Sequence, residues 1–216
     1  MNNLEKYTNF RKNAQFVMPE LSVRDDCIYF GEELVEDSDK KYSEGEKFIN
    51  VGYNFKNSVA RVLSNLFPME FEFRGKKVRS IEGVLQGIKY QDIETQNLVL
   101  NYAGLDAYHT RACNEIDFWG NEGFLYWQGE KIDRHSEEYQ LFIDELYISA
   151  LKNPLYKRAL LATGEKYILH HIGRDDPRET VLTRYEYESR LNTLREFLRQ
   201  NIQENNIDQL MDYIRS

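Results

Sequence analysis

Apolar residues recur at Ile81, Val84, Leu85 and Ile88, the i, i+3, i+4, i+7 spacing of an amphipathic helix, and Ser80 stands where its N-cap belongs. Just upstream, Phe71, Phe73 and Val78 flank Arg74-Gly75-Lys76-Lys77, which predicts a hairpin. A second helix is predicted from Thr95 to about Arg111. Ser136, followed by Glu137 and Glu138, opens a third, with Tyr139, Phe142, Ile143, Leu146 and Ala150 facing inward. Asn153-Pro154 restarts the chain as a cap and first helical position, and Gly164 stops it. Lys166 to Ile172 alternates as a strand does. Thr183-Arg184-Tyr185-Glu186 is a capping box, opening a helix with Tyr187, Leu191, Leu194 and Leu198 on one face. Ile207, Leu210, Met211 and Ile214 predict a short C-terminal helix.

Residues 1 to about 56 follow a different pattern. Short apolar pieces, Cys27-Ile28-Tyr29-Phe30 and Phe48-Ile49-Asn50-Val51, flank the charged run Glu36 to Lys47, which predicts short strands around a solvated loop. No Pro/Ser/Gly linker or internal repeat divides the chain. The expected organisation is a helix-rich α+β domain over residues 51–216 with a small β-sheet, and an N-terminal extension over residues 1–50 packed on it.

Composition narrows the function classes. The chain has 216 residues, 41% hydrophobic and 13% aromatic, enough to bury a core without staples. No apolar run approaches the ~18 residues of a membrane span, and MNNLEKYTNF lacks the basic start and apolar run of a signal peptide. A cytoplasmic protein is the default expectation. Net charge is −8, which disfavours passive coating of nucleic acid but permits a local basic pocket for one phosphorylated ligand. Cys27 and Cys113 form no CxxC pair, and His109, His135, His170 and His171 form no HExxH pattern. Free thiols and no metal or redox cofactor are expected.

The helix opened by Ser80 carries the chemistry. At roughly 100° per residue, Glu82, Gln86 and Lys89 fall within an arc of about 60° beside the apolar stripe. Gly83 and Gly87 lie on another flank, where a backbone or a ligand can approach closely. A first-turn carboxylate with an amide and an ammonium below it can recognise and ionise a polar ligand. The plain alternative is that Glu82 answers the helix dipole and the other two are solvated.

Leu63-Ser64-Asn65-Leu66-Phe67-Pro68, then Phe71-Glu72-Phe73-Arg74-Gly75-Lys76, then Ser80 to Tyr90 (SIEGVLQGIKY) resembles the signature of the NADAR, or YbiA-like, family. Its usual form is LSNFYP, an apolar stretch with DGK, then S-x-E-H-Y-x-Q-x-x-K-F. Trp127-Gln128-Gly129, Ile132-Asp133-Arg134, Leu160 to Gly164 and Ser189 to Glu196 extend the likeness in matching order over roughly Val51 to Phe197. The resemblance implies a compact, mainly helical α+β fold and an N-glycosidase acting on ribosyl C1′–N bonds. Its implied substrates are a nucleotide-sugar such as an ADP-ribose conjugate, including ADP-ribosylated guanine free or within nucleic acid, or a ribosylamino-pyrimidine phosphate.

By position, Glu82 matches the family's essential glutamate, Asn65 the asparagine of LSN, Lys89 the following lysine and Trp127 the pocket tryptophan. An opposed carboxylate stabilises the oxocarbenium character that builds at C1′ or activates a water. Asp133, His171 or water are candidates to protonate the leaving base, and Arg134, Lys89 and Arg174 to neutralise phosphates. Each has a structural alternative. Trp127 can be a core aromatic, Asp133 a cap near Ser136, Arg134 a partner of Glu137 or Glu138, and Asn65 a turn residue. Of His170 and His171, one is expected to pack and one to face out, with His171 taken for the pocket. Two departures stand out: Gly83 replaces the family histidine, which removes a proton donor and opens space, and His171 to Pro177 replaces a Trp-Gly-Asp-like loop. The rival functions are a non-catalytic ADP-ribose or nucleotide binder, which needs no Glu82, and an interaction protein using its acidic N-terminal extension.

Overall fold

Phe48–Asn50 and Tyr167–Leu169, far apart in the chain, lie side by side as a parallel pair in the computed structural model, which describes residues 3–110 and 123–201. The described residues run α1 (Asn3–Asn13), β1 (Leu21–Arg24), β2 (Cys27–Phe30), β3 (Glu33–Glu36), β4 (Phe48–Asn50), α2 (Ser58–Leu63), β5 (Phe71–Phe73) and β6 (Lys76–Val78). There follow α3 (Ile81–Gly87), α4 (Ile93–Leu100), α5 (Leu105–His109), β7 (Phe124–Trp127) and β8 (Glu130–Asp133). The chain continues through α6 (Glu137–Ala150), α7 (Pro154–Ala162), β9 (Tyr167–Leu169) and α8 (Arg184–Asn201). The strands form four small separate sheets: the antiparallel β1-β2-β3 meander, the parallel β4-β9 pair, and the β5-β6 and β7-β8 hairpins. This is a mixed α+β, helix-rich domain.

Local sequence explains most boundaries. Arg74 and Gly75 both take positive φ, +48° and +75°, as a two-residue hairpin turn requires, and set Phe71 opposite Val78. The Ser80 hydroxyl accepts from the Gly83 N–H at 2.9 Å and starts α3. Ser136 does the same for α6 through Tyr139, and Asn153 caps α7 ahead of Pro154. At α8 the capping box closes in both directions: Glu186 N–H donates to Thr183 Oγ1 at 3.1 Å, and Thr183 N–H donates to Glu186 Oε2 at 2.7 Å.

Three expectations are corrected. Residues 3–13 form a helix, where the pattern of residues 1 to about 56 predicts only short strands and a loop, because Tyr7 is fully buried and both Tyr7 and Phe10 pack their rings on Phe197 of α8. A helix this short draws its stability from tertiary packing rather than from its own periodicity. The single helix expected from Thr95 to Arg111 is two: Asp92 caps α4 through Thr95, and the chain turns at Gly104, φ +55°, before α5. Arg111 lies outside the described residues, as do Cys113 and the predicted helix around Ile207 to Ile214. The strand expected to reach Ile172 ends at Leu169, because the His170 N–H leaves the ladder and donates to Glu188 Oε1 at 2.8 Å.

The core places α3 at its centre, with all seven of its residues buried. It packs against α4 and α5 on one side and α6 on another. Helix α1 lies on α6 and α8, and β5 lies on α6. No helix of the described residues is long and apolar enough to cross a membrane.

Candidate active site

Burying all of α3 removes Glu82 and Gln86 from solvent, at 8% and 5% exposure. A buried carboxylate and amide need partners, and they supply one another. Gln86 Nε2 donates to Glu82 Oε1 at 2.7 Å, and Lys89 Nζ donates to Gln86 Oε1 at 2.7 Å. The amide is thus locked in one orientation, with its donor on the carboxylate and its acceptor on the ammonium. The three residues that the helical spacing put in one arc form a continuous polar chain.

Asn65 joins them from the loop after α2. Its carbonyl accepts from the Glu82 N–H at 2.9 Å, tying the LSN segment to the first turn of α3. Its side-chain Oδ1 accepts from the Tyr147 hydroxyl of α6 at 2.8 Å. Tyr147 is fully buried, and burial pushes its hydroxyl well above the ordinary tyrosine range, so it keeps its proton. Tyr147 was not legible as a site residue. Its spacing one position beyond Leu146 reads simply as another core aromatic. Gln96 was missed for the same reason: it is 1% exposed and donates to the carbonyls of Gly87 (3.1 Å), Tyr90 (3.2 Å) and Tyr126 (2.8 Å), fixing the end of α3 to β7.

The remaining candidates engage partners elsewhere. Trp127, expected to stack on a base, is 5% exposed and meets the Phe73 and Phe142 rings edge-on at 5.0 and 5.5 Å. It is a core aromatic. Arg134, expected to meet phosphate, is 2% exposed and forks onto Glu186, Nη1 to Oε1 at 2.9 Å and Nη2 to Oε2 at 2.6 Å. Its guanidinium also lies 4.4 Å over the Tyr139 ring. Neither Glu137 nor Glu138 is its partner, because α6 turns its first-turn carboxylates outward. Asp133 is exposed and its carboxylate accepts from the His135 N–H at 2.8 Å; Ser136, not Asp133, caps α6.

Neither histidine of the pair faces out. His170 Nδ1 bonds the Val51 carbonyl at 2.9 Å with its ring against Tyr187, and burial lowers its pKa to about 4. The His171 side chain, 2% exposed, is held between the Glu36 carboxylate and the Asn50 amide, so it fastens the β-meander to the segment after β9. Burial lowers its pKa and Glu36 opposes that shift. Arg174 is 62% exposed and pairs with Glu179 at 3.4 Å. Tertiary structure thus gathers Asn65, Glu82, Gln86 and Lys89, and gives Trp127, Asp133, Arg134, His171 and Arg174 other partners.

Gly83 has a different meaning from the one its sequence position suggested. A Cβ there would meet the Tyr102 carbonyl at 3.0 Å, Ser80 Oγ at 3.3 Å and the Val99 carbonyl at 3.4 Å. Its missing side chain lets α3 press against the end of α4 rather than widening a pocket. Gly83→His is therefore expected to lower stability by about 1–3 kcal/mol through overpacking, seen as a lower Tm. An unchanged Tm with altered ligand preference would restore the pocket reading.

The profile of the family described as bacteriophage protein GP30.3 matches residues 57–196. An uncharacterized 17.1 kDa protein of the Gp30-rIII intergenic region of enterobacteria phage T4 is 30% identical over 141 residues, covering 63% of this chain and 90% of that protein. The NMR structure of the E. coli protein YbiA superposes with a TM-score of 0.50 at 17% identity, covering 76% of this chain and 93% of YbiA. The fold expected from the NADAR resemblance is the fold observed. With more than half its length matched, the chain belongs to the bacteriophage GP30.3 protein family and has a YbiA-like fold.

Proposed function

We propose that the protein is an N-glycosidase that hydrolyses a ribosyl C1′–N bond in an ADP-ribose conjugate or a related ribosylamino-pyrimidine phosphate. The observation that carries the reading is the buried Glu82 carboxylate on α3, held by Gln86, which Lys89 orients in turn. As the C1′–N bond breaks, its electron pair leaves with the base nitrogen, which takes a proton from solvent water, and positive charge develops on the ribose. A fixed carboxylate beside C1′ stabilises that charge and accepts a proton from the water that adds to C1′. Because its partner amide is already aligned, Glu82 needs no reorganisation as charge appears. Phosphate recognition falls to Lys89 in this reading, since Arg134 is committed to Glu186. Residues 1–50 act as an extension packed on the family domain, in keeping with a family match that begins at residue 57.

The test is incubation with a panel of ADP-ribosylated bases, nucleosides, ribosylamino-pyrimidine phosphates and NAD, read by mass spectrometry. Release of a free base with a ribosyl product containing one added water is the expected outcome. Binding of ADP-ribose without release of any base would make the protein a nucleotide binder instead.

A further inference from the structure

Tyr147 and Asn65 present a constraint that the proposed reaction does not by itself require. Tyr147 sits on α6, fully buried, and its hydroxyl has one proton to give. Asn65 Oδ1 accepts that proton at 2.8 Å. Were the amide reversed, Nδ2 would donate to the Tyr147 oxygen and the hydroxyl proton would be left in the core without this acceptor, a costly arrangement. The orientation is therefore set from behind. With Oδ1 turned onto the Tyr147 hydroxyl, the half-buried Asn65 directs Nδ2, a donor, away from that hydroxyl, on the residue whose carbonyl holds the Glu82 N–H.

We infer that Tyr147 is a positioning residue that turns Asn65 into a dedicated hydrogen-bond donor, selecting a ligand with an oxygen acceptor next to the carbon that Glu82 faces, as a ribose hydroxyl is. This rests on the glycosidase reading for the identity of the ligand and deepens it. It also assigns the two amides of the site opposite duties. Gln86 turns its donor to the carboxylate and its acceptor to Lys89, whereas Asn65 turns its acceptor to Tyr147 and leaves its donor to face the ligand.

The experiment is a double-mutant cycle of Tyr147→Phe and Asn65→Asp in the full chain, read by steady-state kinetics on the panel substrate and by calorimetric binding of ADP-ribose. Tyr147→Phe keeps the ring and frees the amide; it should raise KM and the ADP-ribose Kd about tenfold, the scale of one lost hydrogen bond, with kcat within about twofold. Asn65→Asp, which replaces the donor by an acceptor, should lose more. In the Asn65→Asp background, Tyr147→Phe should add little, because no amide remains to orient. Tyr156→Phe, at a buried hydroxyl without a hydrogen-bond partner among the described residues, is the control and should leave KM and Kd unchanged. Losses that add across the cycle, or appear only in Tm, would reduce Tyr147 to a packing residue and overturn the inference. Wild-type binding of ADP-ribose with no turnover would remove the hydrolase yet keep the inference if the Kd pattern holds. Absence of wild-type ADP-ribose binding would overturn the inference, whichever other panel substrate is turned over.

Discussion

Glu82→Gln is expected to lower kcat on the panel substrate by about 10²-fold or more, the scale seen when one preorganised electrostatic group is removed. The carboxamide keeps the shape of the side chain, and its oxygen can still accept from Gln86 Nε2, so the Gln86–Lys89 chain persists. What disappears is the negative charge. A ground-state ribose is neutral, so KM and the ADP-ribose Kd should change little, while the transition state loses its counter-charge. The fold should survive, since the carboxamide keeps the hydrogen bond from Gln86 and gives up the ~0.3–1 kcal/mol that a first-turn charge gains from the helix dipole. Turnover within a few-fold of the parent would sink the catalytic role of Glu82.

A second large effect is expected at Arg134, a candidate phosphate ligand by sequence, and its partner Glu186, a capping-box residue by sequence. Arg134 and Glu186 are both largely excluded from solvent and joined by two hydrogen bonds, with Gln140 Nε2 also donating to Glu186 Oε1 at 2.8 Å. Burial by itself would raise the Glu186 carboxyl, but Arg134, Gln140 and the Thr183 N–H outweigh it and hold the pKa at about 2, against an ordinary 4.5. Glu186→Gln keeps the capping box and leaves a buried guanidinium without its counter-charge. The expected loss of folding stability at pH 7 is about 3 kcal/mol, both from the size of the pKa shift and from the ~3–5 kcal/mol typical of breaking a buried pair. The sign follows from the lowered carboxyl. Its stabilisation is complete above pH 4.5 and fades as pH falls towards 2, so the gap between parent and variant should close over that window. Denaturant titrations of both proteins at pH 7 and pH 3 measure it. A gap that does not narrow at low pH would mean that the Glu186 charge is not what stabilises the fold. Arg134→Ala should likewise lose stability rather than only ligand affinity.

The same pair belongs to a longer buried network. Arg190 donates to the Gln140 side-chain oxygen at 2.7 Å and to Asp144 at 2.9 Å, and Asp144 also accepts from Arg11 of α1 at 2.8 Å. Arginine and carboxylate are thus used inside the domain to join α8, α6 and α1. Arg190 and Asp144, 1% and 0% exposed at their side chains, are thus spent on packing rather than presented at the surface. Each arginine of this network has a carboxylate beside it, and removing one member leaves its partner exposed to the low-dielectric interior.

Elements whose signals are local were legible in the sequence. Ser80, Ser136, Asn153 and the Thr183–Glu186 box name their helices because capping is decided within three or four residues. Arg74-Gly75 names its turn for the same reason. The Glu82, Gln86 and Lys89 arc was equally legible, because helical geometry alone brings residues at those spacings together. Helix α1 was not, since its stability lies in Tyr7 and Phe10 meeting Phe197 near the far end of the described chain.

What the sequence determined by itself was therefore the helix-rich α+β class, the main helix starts and the polar chain on α3. Tertiary structure alone decided the partners of groups that can serve either a ligand or the core. An arginine, a tryptophan or a histidine has the same chemistry in both uses, and only the neighbours brought by distant segments choose between them. Glu186 claims Arg134, Phe73 and Phe142 claim Trp127, and Glu36 with Asn50 claims His171. The same long-range packing adds Tyr147 behind Asn65 and sets Gly83 against the Tyr102 carbonyl. The physical reason is that desolvation forces every buried polar group to find a partner, and where that partner comes from depends on the whole fold rather than on local spacing.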